Sequence, residues 1–259
     1  MDLKLKDKVI IVTGGSSGIG LGISHALARE GAIPFIVGRS EETITAAISE
    51  IENLGGQAGY TLAELTSPDD CKNAVEVAFA KYGRIEGLVN NAGVNDSIGL
   101  EAGNYEDFIT SIHRNLTHYY LMTHHALPEL KKSKGAIVNI GSKTSFTGQG
   151  GTSGYAAANG GRNALTREWA VELLPYSIRV NAVIVAECYT PLYERWIGSL
   201  PNPEQKLQAI TEKIPLENRM TTANEIADTV AFLLSEKSGH TTGQLLFVDG
   251  GYTHLDRAL

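Results

Sequence analysis

The chain has 259 residues, 42% of them hydrophobic and 20% charged, and a formal net charge of -7. That length buries most of the surface of a single core, and the composition excludes a disordered or fibrous chain. No run of Lys and Arg is dense enough to neutralise phosphates, so nucleic acid and anionic membrane are excluded as partners and a small molecule is expected.

The N-terminus, "MDLKLKDKVIIVTGG", passes from charged residues into a short apolar segment ending in glycines. It reads as neither a signal peptide nor a membrane span, and a cytoplasmic location is expected. Short apolar runs follow at 9–13, 33–37, 87–90, 136–141, 178–185 and 244–249. Helix-patterned segments lie between them, at roughly 18–30, 41–53, 68–82, 104–132, 153–174 and 222–235. Strands apolar on nearly every residue are buried on both faces, which predicts an α/β, doubly wound parallel sheet as one domain over 1–259. The stretch 188–218 breaks the rhythm with four prolines and is expected to form a lid over the substrate. Cys71 and Cys188 lack metal-type spacing and read as reduced, partly buried thiols, and no metal site is predicted.

After the first strand comes Thr13-Gly-Gly-Ser-Ser-Gly-Ile-Gly20, then a helix pattern. Gly14, Ser16, Ser17, Gly18, Ile19 and Gly20 form a turn tight enough to need glycine, and the helix that follows offers free N–H groups and a positive dipole end to a pyrophosphate. At the end of the second strand Gly38 is followed by Arg39, where a carboxylate would otherwise meet a bare ribose diol. An arginine there favours a 2′-phosphate, hence NADP over NAD. Glu64 and Leu65 fall at a further strand end, where an adenine would lie, although a carboxylate opening a helix also serves the helix dipole.

With "TGGSSGIG" (13–20), "NNAG" (90–93), Asn115, Ser142, Tyr155, "IRVNAV" (178–183) and "VDGG" (248–251) in this order, the chain resembles the short-chain dehydrogenase/reductase family over essentially its whole length. The resemblance implies a Rossmann fold and an NAD(P) cofactor. It places Asn91, Ala92 and Gly93 with Asn90 along the cofactor pocket and Thr190 at an ordinary cofactor position. It gives Ser142 the substrate oxygen, Tyr155 the proton and Asn115 a water relay. It also implies a homotetramer in which helices 104–132 and 153–174 pack across one interface and the C-terminal segment across another. The four histidines at 113, 118, 124 and 125 have no ligand-like partners and read as surface or interface residues.

The proposed roles fit elementary chemistry, because hydride transfer at a carbinol carbon needs one proton donor/acceptor and one further hydrogen bond at the oxygen. A phenol ordinarily titrates near 10, and a cation roughly 5 Å away at an effective dielectric of about 20 contributes roughly 3 kcal/mol towards ionising it. In the family pattern a lysine four residues after the tyrosine supplies that cation; here the position is Asn159. Asparagine can bond a ribose hydroxyl but carries no charge. Alternation along the strand sends Lys143 away from the site, and Arg162 lies about 10 Å further along the helix. Three accounts follow: a slow enzyme, a cofactor-binding protein without turnover, or a substitution placed in an active parent.

Where the family usually shows Pro-Gly after the sixth strand, this chain has Val185-Ala186-Glu187. With "TPLYERW" (190–196) and "GGYTHLDRAL" (250–259), it resembles the L-fucose dehydrogenase-like branch of sugar dehydrogenases. Glu187, Asn95 and Gln149 would then face hydroxyls, with Trp196 as a flat platform for a sugar ring. Glu187 also reads as a structural hydrogen bond of its loop. The alternatives are a 3-oxoacyl-thioester reductase and a non-catalytic NADP-binding subunit.

Overall fold

The computed structural model describes residues 2–255. Seven strands form one parallel sheet: β1 (Val9–Thr13), β2 (Ile33–Gly38), β3 (Gly59–Leu62), β4 (Gly87–Asn90), β5 (Ala136–Ser142), β6 (Arg179–Val185) and β7 (Leu245–Val248). Their order is β3-β2-β1-β4-β5-β6-β7, so the winding reverses between β1 and β4. This is the doubly wound fold expected from the apolar runs.

Helices cover both faces. On one lie α1 (Gly18–Arg29), α2 (Glu41–Asn53) and α9 (Ala223–Leu234); on the other lie α3 (Pro68–Tyr82), α5 (His118–Ser133) and α6 (Ser153–Glu172). Alternate residues of one strand serve the two layers: Val9 and Ile11 pack with α3, α5 and α6, while Ile10 and Val12 pack with α1 and α9. Sequence sets the helix starts. Ser67 caps α3 ahead of Pro68, and Thr222 with Glu225 forms a reciprocal capping box on α9. No described helix is long and apolar enough to cross a membrane.

Three differences from the sequence reading bear on the site. β3 has only four residues, "GYTL", too short and too polar to stand out as a run. The helix expected over 104–132 is interrupted: α4 (Tyr105–Ile112) passes into a π-helical turn, His113–Thr117, before α5 begins. The proline-rich stretch holds two helices, α7 (Pro191–Gly198) and α8 (Pro203–Thr211), each with a proline in its first turn, where the missing N–H costs nothing.

Candidate active site

In a doubly wound sheet the crevice opens beyond the carboxyl ends of the strands, at the point where the winding reverses. Here the glycine loop after β1 faces the "NNAG" loop after β4. Thr13 ties the two together: its hydroxyl accepts from the backbone N–H of Asn91 at 2.9 Å and of Ala92 at 3.1 Å, while the Asn91 amide donates to Thr13 O at 2.9 Å. Gly20 is pressed against the loop so closely that a Cβ would stand 2.0 Å from Gly14 O, and Gly14 itself has φ +65°. Ser17 heads α1 without a side-chain cap, and no acidic residue occupies the first turn. The N-terminal N–H groups of α1 are thus left for an external anion, which fits the pyrophosphate of a dinucleotide.

Around this loop, the Ser16 hydroxyl bonds that of Thr43 at 3.1 Å, and the Thr190 methyl packs against Gly18 while its hydroxyl caps α7. Ile19 is partly buried against the core of the α1 layer. Arg39 is exposed and donates to Glu64 at 3.3 Å. Burial opposes ionisation of Glu64, but hydrogen bonds from Thr66 and Arg39 outweigh it and hold the carboxyl below its usual range. Leu65 is buried, its carbonyl 3.4 Å from the Cys71 thiol.

Beyond β5 the second cluster forms. Ser142 ends the strand, its hydroxyl within 3.1 Å of that of Thr144, and Tyr155 stands half-buried in the first turn of α6, a helix that packs against β5. Asn159, fully buried, donates to Tyr155 O at 2.9 Å. Asn115 sits in the π-helical turn, its side-chain oxygen accepting from Val94 N at 2.8 Å.

Arg162 corrects the axial reading. Its backbone is two turns beyond Tyr155, but its side chain returns along the helix to lie 5.9 Å from the Tyr155 ring centroid and 4.3 Å from that of Tyr119. Only 3% exposed, it donates to Asn115 O at 2.7 Å, Ile140 O at 3.1 Å and Asn159 Oδ1 at 3.1 Å. Gly93 closes over it, since a Cβ there would meet Arg162 Nη2 at 2.8 Å. His118 is buried as well, rather than on the surface. Desolvation foremost, then the nearby Arg162 charge, push its imidazole down to about 3, while Nε2 lies 3.0 Å from Arg114 O.

Lys143 is corrected too. The strand ends at Ser142 and a 3-10 turn, Lys143–Ser145, redirects the chain, so the alternation rule no longer holds. Because Ser142 is in register with Val185, the residues just beyond face each other, and Lys143 forms an ion pair with Glu187. One oxygen of Glu187 is thereby engaged. Tyr193 lies beside it; burial first and the carboxylate second hold that phenol protonated, above its ordinary range. Trp196 packs edge-on against Tyr193 with centroids 5.1 Å apart and remains 42% exposed. Tyr252 covers Lys143 from the C-terminal segment, whose residues 256–259 lie outside the described ones. Asn95 and Gln149 are exposed on adjoining loops that touch at Gly99 and Gly151. The sequence reading gave Tyr193 and Tyr252 no role, although both fall within the quoted stretches 190–196 and 250–259; only the fold brings them to the Lys143–Glu187 pair.

The switch-point crevice, with Ser142 and Tyr155 at the same end of the sheet, is that of a Rossmann-type fold, and the family that the chain matches makes it an oxidoreductase. The chain belongs to the short-chain dehydrogenase family, whose pattern matches residues 8–197. A 3-oxoacyl-[acyl-carrier-protein] reductase of Thermotoga maritima is 35% identical over 250 residues, covering 96% of this chain and 99% of that protein. An L-fucose dehydrogenase of Bos taurus is 33% identical over 252 residues, covering 97% and 91%. The crystal structure of Cj0485 dehydrogenase superposes with a TM-score of 0.95 at 46% identity, covering 100% of this chain and 99% of that one.

Proposed function

We propose that the chain oxidises a CH–OH carbon, or reduces the matching carbonyl, of a small polyhydroxylated molecule of the L-fucose-like aldose class. The observation that carries this is the position of Ser142 and Tyr155 at the same end of the sheet as the glycine loop, with Lys143 and Glu187 beside them. When bound, a nicotinamide dinucleotide accepts or supplies the hydride. Ser142 holds the substrate oxygen by a hydrogen bond and Tyr155 exchanges its proton. The uncapped start of α1, with Gly14, Ser16, Ser17, Gly18, Ile19 and Gly20, holds the pyrophosphate. Glu64 and Leu65 flank the adenine, and Asn91, Ala92, Gly93 and Thr190 line the nicotinamide half. Asn115 holds Val94, just past the "NNAG" loop, and is joined to Asn159 through Arg162.

NADP is the proposed cofactor, on the strength of Arg39 and the lack of a carboxylate at Gly38. Asn95, Gln149 and Trp196 form the rim of the substrate site, and 188–218, with α7 and α8, is the lid. Exposed apolar side chains on three helices, Tyr105, Tyr120 and Val171, support assembly as a homotetramer. A second reading, reduction of a 3-oxoacyl thioester, is favoured by the Thermotoga maritima relative. Turnover of aldoses and of acyl thioesters with each nicotinamide cofactor decides between them. Activity on acyl thioesters alone replaces the sugar reading, and binding of cofactor with no turnover of either replaces both.

A further inference from the structure

We propose that Arg162 takes over the part of the lysine that Asn159 displaces: it is the positioning residue whose charge stabilises Tyr155 as a phenolate. The proposal rests on the reading of Tyr155 as the proton-exchanging residue.

The first argument is the missing counter-ion. A guanidinium taken out of water at this depth is costly unless it is paired and fully hydrogen-bonded. Arg162 has its hydrogen bonds, to the carbonyls of Asn115 and Ile140 and to the amide oxygen of Asn159, but among the described residues no carboxylate pairs with it. All these partners are neutral, so the full positive charge persists in a low-dielectric pocket. The neighbouring group that becomes an anion during the reaction is Tyr155, 5.9 Å from the guanidinium carbon at its ring centroid.

The second argument is the shared helix face. Residues 155, 159 and 162 follow one another at spacings of four and three along α6, the spacings that bring side chains together. A lysine at 159 would reach the phenol directly. Asn159 is shorter, and its oxygen receives Arg162 Nη1 while its amide donates to Tyr155 O. The cation has moved one turn along the helix, and asparagine fills the space it left. Arg162 Nε also occupies the Asn115 carbonyl, the place at which a relay through Asn115 would begin.

The charges around the phenol leave Arg162 as the uncompensated one. From α5, Tyr119 is held protonated chiefly by burial and His118 is neutral, down to about 3. After β5, Lys143 is matched by Glu187 from the end of β6. In oxidation the carbinol O–H proton passes to the Tyr155 phenolate, the carbinol carbon gives its hydride to the oxidised nicotinamide, and the C=O bond forms. Arg162 favours the state from which this begins. The slow catalysis expected from Asn159 alone gives way to ordinary catalysis.

The experiment has two readouts on the full chain. Tyrosinate absorbance of the wild type minus that of Y155F follows Tyr155 against pH with NADP⁺ bound and without substrate; kcat for alcohol oxidation follows turnover over the same pH range. R162M is expected to delay tyrosinate formation by about one to two pH units and to lower kcat near neutrality on the order of a hundredfold, the rate loss diminishing as pH rises. R162K and the charge-returning N159K/R162M are expected to recover both. A wild-type Tyr155 that ionises only near the ordinary phenol value of about 10 overturns the proposal without any variant, whatever the folding of R162M. So does an R162M chain that folds and titrates like the wild type. Arg162-dependent titration without turnover would instead retain the charge assignment and remove the oxidoreductase reading.

Discussion

The Lys143 ammonium meets the Glu187 carboxylate across the ends of β5 and β6, with the centroid of the Tyr252 ring 4.1 Å from the ammonium. Both charged side chains are almost wholly withdrawn from water, so each depends on the other. Lys143→Met strands a buried carboxylate and is expected to cost about 3 kcal/mol in denaturant unfolding. K143M/E187Q, which removes both charges, is expected to cost less than that single change. If the pair also lines the substrate site, both variants raise KM for hydroxylated substrates, and steady-state kinetics on the folded proteins reads this out.

Arg39 and Glu64 lie beside the proposed ribose site as a 3.3 Å pair, so removal of one releases the other. Arg39→Ala is expected to weaken NADP binding about tenfold, through loss of a charge-assisted contact and exposure of the Glu64 charge. NAD affinity is expected to change little. Calorimetric titration at two salt concentrations checks both, since the NADP effect should shrink as salt rises.

Asn159→Lys is expected to lower activity and stability, the opposite of what the family pattern alone suggests. With Arg162 Nη1 already 3.1 Å from Asn159 Oδ1, a lysine ammonium would be buried against a like charge, at a cost on the order of 2 kcal/mol. The same substitution placed over R162M is expected to be beneficial. Thermal melting and kcat of the two pairs measure the sign change as a double-mutant cycle.

His118 predicts a pH dependence of stability. Its folded value, near 3, lies below the unfolded value of about 6.5, so between them the unfolded chain holds the extra proton. Stability is therefore present above about pH 6.5 and falls on acidification, by at most about 1.4 kcal/mol per unit. His118→Gln is expected to remove that slope. Urea unfolding at pH 7 and pH 5 compares the two; equal losses in both proteins count against the assignment.

The sheet was legible because strands buried on both faces are written as unbroken apolar runs, and "VIIVT" and "AIVNIG" need no context to be read. Short β3 lacks that signature, since an edge strand of four residues is defined by its neighbour β2. Ser142 and Tyr155 could be placed at a strand end and a helix start because the family pattern orders them there. Arg162 could not, for a geometric reason. Backbone rise puts it two turns from Tyr155, whereas side chains on a helix lean towards its N-terminus and arginine is long enough to recover that distance. The signal was present as the common face of 155, 159 and 162. Lys143 was misdirected by extending strand alternation one residue past the strand's end.

The wide turn at His113–Thr117 limits how this site can change over generations. It holds one surplus residue between α4 and α5, with Asn115 at its centre. Deleting a single residue there would restore a regular helix with α4 and α5 still nearly in phase, because five residues in a wide turn advance the helix about as far as four in an α-helix. The α4 contacts with α6 could then persist, but the carbonyl of Asn115, which belongs to the turn and accepts from Arg162, would be displaced and that bond lost. Point substitutions can therefore alter the charge on the 155–162 face gradually, but a length change at 113–117 is all or nothing, and lineages that keep Arg162 should keep the helix at one length there.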